Sequence, residues 1–299
     1  MADFDISRWA TIFEELLWGN TQSVLARFRR KYEGDVFPGN VVKIKTYTAP
    51  TVQTLSDRTG DLTYSNAAFS TSDLTVDQFR YIGELFYDIN QMFSNTADEA
   101  QAIRNYVSAL ISNTLTNVLA LAQSQAGTTL LGSTYGGGAT TGITLVPYQI
   151  LSTSDYTGAG VTGSLYTLSL FAKAKLVLDK LDVPDTGRIA VVPPEVSAAV
   201  VKTATITEAA DPIRSIALTR GAMDVVSGFD VYPSNNLPTS NSLPYALFMH
   251  ESAVDVAGQI KPPETFRHTT KFGDVARILN VFGRKATHTT RIVAAHIAI

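Results

Sequence analysis

The strongest constraint on this 299-residue chain lies in residues 41–79. Two extended runs, 41–49 and 67–76, flank the polar, turn-rich stretch TVQTLSDRTGDLTYSN. In the first run Val42, Ile44 and Thr46 point one way and Lys43 and Lys45 the other. That alternation is the signature of a half-buried strand. The region therefore reads as a long hairpin. A two-stranded ribbon alone is marginal in water, so the hairpin needs a surface to lie on, and the rest of the fold has to supply one.

Residues 96–126 form the clearest helix. Thr96 followed three residues later by Glu99 is a capping box, and Asp98 adds negative charge to the first turn. Ile103, Val107, Leu110, Ile111, Val118 and Ala122 make one apolar stripe, and Gly127 supplies the stop. At about 1.5 Å per residue such a helix is about 45 Å long, well beyond the usual ~10–14 residues. A second helix is predicted over 165–182, with Leu170, Ala174, Val177 and Leu181 on one side and Pro184 ending it. Residues 188–192 read as a buried strand, and 195–203 as a short helix with a Pro start. Residues 127–164 read as a Gly-, Thr- and Ser-rich loop or insertion with a short strand at 143–146. From Tyr245 onward β-type runs dominate, and ARILNVFGRKATHTTRIVAAHIAI reads as two strands around Gly283. At the other end, Ile6, Trp9, Phe13 and Leu16 share a helical face. The basic run Arg27-Phe28-Arg29-Arg30-Lys31 follows. It is either a solvated face or a contact for an acidic neighbour or for nucleic-acid phosphates.

Composition narrows the function classes. Charged residues make up 17% of the chain, against ~25% in an ordinary soluble protein. Such a surface is covered by Thr, Ser and Asn and by partner subunits. The formal net charge of −3 gives no global argument for nucleic-acid binding. There is no cysteine, which removes disulfides, thiolate catalysis and Cys-based zinc sites. The start, MADFDISRWA, is acidic where a secretory leader is basic, and no run approaches the ~20 apolar residues of a membrane span. With Met1 as the native start, no long N-terminal propeptide is expected.

Searches for chemistry return little. Gly158-Ala159-Gly160-Val161-Thr162-Gly163 satisfies G-x-G-x-x-G, and Asp182 lies ~20 residues beyond. The preceding STSDYT, however, is polar where the dinucleotide fold needs a buried strand. The four histidines, His250, His268, His288 and His296, cluster toward the C-terminus without an H-x-x-x-H or H-E-x-x-H spacing. On one strand His288 and His296 would stand about 26 Å apart. Neither G-x-S-x-G nor the phosphate-cradling G-x-x-x-x-G-K-[ST] occurs. Glu14-Glu15 and Asp98-Glu99 are adjacent pairs that diverge on a helix. The chain is therefore expected not to be an enzyme, with no catalytic, cofactor-binding or metal-binding residue and no cofactor.

Three blocks carry a resemblance. Residues 221–238, GAMDVVSGFDVYPSNNLP, read as a turn, a strand and a polar loop. Gly228 takes the positive φ of the turn, Phe229, Val231 and Tyr232 favour the strand, and Pro233 ends it. Ser234-Asn235-Asn236 supplies turn chemistry before Pro238. The other blocks are 74–90, LTVDQFRYIGELFYDIN, and 178–196, LDKLDVPDTGRIAVVPPEV. In order and spacing, the three resemble segments of tailed-phage major capsid proteins with the Hong Kong 97-like fold. Residues 221–238 match the strand leading to the tip of the axial domain. Residues 74–90 match the return from the extended loop, and 178–196 match a helix end, buried strand and P-P-E.

The resemblance implies an α+β fold with an N-terminal arm over 1–34, then an extended hairpin loop with its flanking strands over 35–80. A peripheral domain over 81–130 would carry a spine helix at 96–126. Residues 131–245 would be mainly axial, with helix 165–182 assignable to either domain, and 246–299 would return as strands. The implied function is a subunit that self-assembles as hexamers and pentamers into an icosahedral shell around double-stranded DNA. Expected partners are scaffold, portal and decoration proteins, with packaged DNA touched non-specifically and no membrane. Any scaffold is expected to be a separate protein. The expected location is the virion, assembled in the host bacterial cytoplasm. Asp57, Arg58 and Asp61 near the hairpin tip, and Arg27, Arg29, Arg30 and Lys31 in the arm, are the candidate intersubunit contacts. Lys–Asn crosslinks of some relatives find no local motif here. Rival readings are an encapsulin-like compartment with the same fold, a dinucleotide-dependent enzyme built on 158–182, and a β-rich surface or adhesion protein.

Overall fold

Three strands that are apolar on both faces build the centre of the molecule: β7 (Arg188–Val192), β11 (Leu243–His250) and β14 (Ile292–Ala298). Their alternate residues feed two separate cores. Ile189, Val191, Leu247, Met249, Ile292 and Ala294 enter one, while Ala190, Val192, Ala246, Phe248, Val293 and Ala295 enter the other. A sheet covered on both faces reads as continuous hydrophobic runs, as these three segments do. The computed structural model describes residues 24–28, 41–47, 52–54, 66, 69–87, 96–130, 143–146, 164–207 and 225–298.

Among the described residues the large sheet has nine strands. Its other members are β4 (Thr128–Leu130), β5 (Ile143–Val146), β6 (Ser164–Tyr166), β8 (Val225–Val226), β9 (Phe229–Pro233) and β10 (Thr239–Ser240). The main path runs β6-β5-β14-β11-β7-β9-β8, with β10 on β11 and β4 on β14. Pairing is mixed: β7–β9, β5–β6 and β14 with β4 and β5 are parallel, and β11 is antiparallel to both neighbours. One face is covered by α2 (Thr167–Lys180) and α3 (Pro194–Thr207), through Leu170, Phe171, Ala174, Leu178, Val196 and Val200. The other is covered by α1 (Thr96–Ser124), through Val107, Leu110, Leu115, Val118, Leu119 and Ala122. With 29 residues α1 is about 44 Å long.

The predicted elements over 143–146 and 188–192 match β5 and β7. Helix α1 begins at Thr96 as read from the sequence; the side chains of Thr96, Asp98, Glu99 and Ile103 lie outside the described set. Gly228 has φ +84°, as its turn role requires.

Two glycines do other work than expected. Gly127 does not adopt the left-handed conformation of a helix stop. Its N–H donates to Thr289 O at 2.9 Å and Ile292 O at 3.1 Å, and a Cβ there would sit 2.7 Å from Thr289 O. Gly127 is thus a close-approach residue that lets the end of α1 touch the start of β14. Gly283 does not separate two strands; it lies inside β13 (Gly273–Ala286). The break falls instead at the 3₁₀ turn Thr289–Arg291.

A second sheet has the order β12-β13-β3, with β12 spanning Val254–Arg267 and β3 Gln78–Tyr87. Alpha helix α1 packs on one of its faces. Ile278 and Ile82 join the α1 core, and Asn280 Nδ2 donates to Thr114 Oγ1 at 3.0 Å, which in turn donates to Leu110 O at 2.9 Å. That chain satisfies two buried polar side chains that would otherwise be costly. The Tyr106 hydroxyl on α1 donates to the Glu84 carboxylate on β3. Burial first and this hydrogen bond second push the phenol up to about 12. Helix α1 is therefore shared between both sheets.

Candidate assembly surface

The other face of the three-stranded sheet is the one turned outward, and the hairpin covers part of it. Strands β1 (Val41–Tyr47) and β2 (Phe69–Thr75) pair antiparallel in unbroken register from Val41↔Thr75 to Tyr47↔Phe69. Val42, Ile44, Leu74 and Val76 are buried and pack on Ala257, Leu279 and Val281. Lys43 and Lys45 point outward, the alternation that the sequence predicts. The base of the hairpin thus has its seat on the chain's own β12 and β13. Gly283 makes the seat close enough: a Cβ there would lie 2.6 Å from Thr75 O and 2.9 Å from Leu74 Cδ2. A glycine inside a strand often marks such an approach of another backbone.

Beside the seat, the same face is open. Phe79 and Tyr81 pair with Val281 and Leu279 in the ladder, which puts them on the hairpin side of the sheet. They are 52% and 76% exposed. Tyr87, on the same face at the far end of β3, and Phe266 on β12 are also exposed. Arg277 lies over the Phe266 ring at 5.1 Å and holds Glu264 Oε2 at 2.8 Å through Nε. Phe272, in the turn between β12 and β13, is 81% exposed. Among the described residues strand β3 is also the edge of its sheet. Single exposed apolar residues are ordinary, but a contiguous group bordered by polar residues marks an interaction site. An edge strand adds unpaired backbone donors and acceptors.

The predicted contact residues divide sharply. Asp57, Arg58, Asp61, Arg29, Arg30 and Lys31 lie outside the described residues. Arg27 is described, and it engages its own chain: Nε donates to the Tyr232 hydroxyl at 2.7 Å, and Nη2 lies 3.3 Å from Asp230 Oδ2. Its neighbours Val24, Leu25 and Phe28 are buried in the α1 core. Residues 24–28 of the 1–34 segment are therefore docked on the body of the same chain. The loop after β9, which the resemblance implies leads to an axial tip, is seated on α1. Ser112 Oγ donates to Asn236 Oδ1 at 2.8 Å, and Leu237 is buried.

Nothing described resembles a reaction centre. The glycine-rich segment 158–163 lies outside the described residues. His296 is buried, stacked on Tyr245 at 4.7 Å, with Nε2 3.0 Å from Ser240 O. His268 Nδ1 accepts from the amides of Thr270 and Lys271. Among the described residues no group of three His, Asp or Glu could hold a metal, and no helix is long and apolar enough to cross a membrane. Missed by sequence reasoning was the exposure of Phe79 and Tyr81, because an apolar strand carries no mark of which face stays open.

Comparison with solved structures decides what this architecture is. A protein of Mycobacterium phage Che8 superposes with a TM-score of 0.66 at 25% identity, over 90% of this chain and 88% of that one. The capsid of cyanophage P-SCSP1u matches at 0.62 and 15% identity, over 91% and 86% of the two chains. This is a phage capsid fold. The capsid of Ralstonia phage GP4 shares it at a TM-score of 0.57 and 12% identity, covering 91% and 88%. No protein-family model and no curated protein matches the chain. The capsid fold accounts for the mixed helix-and-sheet architecture.

Proposed function

We propose that this chain is the major capsid protein of a tailed phage, and that many copies close into the icosahedral head shell around the double-stranded DNA genome. The observation that carries this is the capsid fold spanning nearly all of the chain and nearly all of the Che8 and P-SCSP1u chains. In this reading α1 is the spine helix and, with β3, β12 and β13, forms the peripheral domain. The nine-stranded sheet with α2 and α3 forms the axial domain. The hairpin beyond its seat reaches a neighbouring subunit, with Asp57, Arg58 and Asp61 as ion-pair partners there. Arg29, Arg30 and Lys31 serve a neighbour or packaged DNA. Such exposed pairs contribute ~0–1 kcal/mol each, and closure makes them multivalent. The role is structural rather than catalytic, and the location is the virion.

Electron microscopy of a chain lacking residues 52–66 tests the reading. The expected result is a folded, soluble subunit that forms no closed shell. Normal shells from that variant would end the assigned role of the hairpin. Nucleic acid inside wild-type shells expressed with their neighbouring genes supports the phage assignment, whereas enclosed enzyme would move it to a cargo compartment.

Tyr81→Glu probes the open face separately. With Tyr81 largely exposed, subunit stability should change by no more than ~0.5 kcal/mol. The buried charge it would place in a contact should reduce shell yield by at least tenfold. Unchanged yield on sedimentation gradients would show that this face stays wet in the assembled shell.

A further inference from the structure

Two crossings between the nine-stranded and the three-stranded sheet meet at one joint, and that joint is clasped by side chains. Strand β11 leaves the large sheet at His250, runs through the 3₁₀ turn Glu251–Ala253 and enters β12. Strand β13 returns through Thr287, His288 and the turn Thr289–Arg291 into β14. The two crossings lie side by side. The amides of Thr287 and His288 donate to Ala253 O at 3.0 and 3.2 Å, and Thr287 Oγ1 donates to Asp255. Arg291 Nη1 donates to Ser252 Oγ at 2.7 Å.

His250 sits at the head of this arrangement as the N-cap of its turn. Its Nδ1 accepts from the Ser252 amide at 3.1 Å and lies 2.8 Å from Ser252 Oγ. Because an amide can only donate, Nδ1 carries no proton in this structure. Arg291 already donates to Ser252 Oγ, so the hydroxyl proton is directed at Nδ1. The imidazole is buried. The charged groups around it are Arg291 from the returning crossing, Arg188 from β7 and Glu251 beside it, and the ring also bonds to the Thr186 backbone. Arg188 is itself paired with Asp179 and Asp185.

We propose that His250 is a pH-sensitive latch: a proton on Nδ1 removes the cap on Ser252, sets a cation beside Arg291, and loosens the clasp that fixes the three-stranded sheet against the nine-stranded one. Burial first, and Arg291 second, push the imidazole below its ordinary value of 6.5. For a group whose folded-state value is depressed, the contribution is complete above the unfolded value and is lost as pH falls through it toward the folded value. The latch is therefore closed at neutral pH and opens on acidification. It is a property of the single subunit and stands or falls independently of shell formation.

The test is amide hydrogen exchange on the full-length chain between pH 7.5 and 5, expressed as protection factors, with the His250 ring followed by NMR in the same samples. Protection at 252–254 and 287–292 should fall as pH drops below the free-imidazole range and level off once the folded-state His250 ring has titrated, by about tenfold for each pKa unit of depression. Protection at 189–191 and 246–248 should stay constant. His250→Asn keeps a neutral acceptor near Nδ1 and should make the joint insensitive to pH. Equal acid sensitivity in His250→Asn would overturn the proposal. If that variant does not fold, protection at the joint that keeps falling well below the pH at which the His250 ring has titrated, or no loss of protection at all, would overturn it too.

Discussion

Phe248→Ala is expected to lower the free energy of unfolding by about 4 kcal/mol. Phe248, Phe171 and Phe229 are fully buried on the α2 side of the large sheet. Their rings meet edge to face, with centroids 5.2 Å apart for Phe171–Phe248, 5.4 Å for Phe229–Phe248 and 6.5 Å for Phe171–Phe229. Each such pair adds ~0.5–1.5 kcal/mol beyond burial. Phe248 takes part in two of them, so its truncation loses the transferred surface, both ring contacts and the packing around a cavity that the flanking strands cannot close. Urea unfolding should show a lower midpoint with an unchanged slope. Phe248→Leu should recover more than half of the loss, because volume rather than aromaticity dominates. A loss below 1 kcal/mol in Phe248→Ala would mean that the layer collapses onto the gap.

The second large effect concerns Gly283. Valine there would place Cβ 2.6 Å from Thr75 O and 2.9 Å from Leu74 Cδ2, distances that real Cβ atoms do not reach. The strand beneath is held by β12 on one side and β3 on the other, so the hairpin has to yield. Gly283→Val should strip exchange protection from 41–47 and 69–75 and expose the apolar seat. The overpacking cost is roughly 1–3 kcal/mol. The nine-stranded sheet, separate from the one that carries Gly283, should keep its protection. Because the hairpin's direction is set at its seat, closed shells should disappear although the subunit stays folded. Full protection of β2 in the variant would show that the base of the hairpin is not what aims it.

How much of this was written in the sequence depends on the range of each signal. Strand β7 and the start of α1 were legible because a buried run bounded by Gly and Pro, and a cap ahead of an apolar stripe, are local patterns. So was the inward face of β1. The roles of Gly127 and Gly283 were not. A glycine says only that a side chain is absent, and the atoms that require its absence, Thr289 O and Thr75 O, lie far away along the chain. For the same reason the sequence offered no hint that Thr114 and Asn280 satisfy each other, or that Arg27 would turn inward to Asp230 and Tyr232. Of the open face, the residues were visible as an apolar strand, but the exposure of Phe79 and Tyr81 follows from which part of the sheet the hairpin covers. The predicted contacts at the hairpin tip rested on charge in a polar stretch, and a loop signal fixes no direction.

The pairing of β3 with β13 has a consequence for synthesis. Their ladder joins Gln78 to Phe282 and Tyr87 to Gly273, so β3 waits for a partner about 200 residues downstream. At ~5–20 residues per second on the ribosome, that wait lasts roughly 10–40 s. The hairpin of β1 and β2 can zip within microseconds of emerging, on the order of 1–10 μs, yet its platform of Ala257, Leu279 and Val281 lies far downstream and is translated much later. Throughout that interval a nascent chain holds a ribbon with no seat and an apolar strand with no neighbour. Such chains crowded on one message would invite mispairing, so chaperone occupancy is expected to centre on residues 69–87 and to end when β12 and β13 emerge.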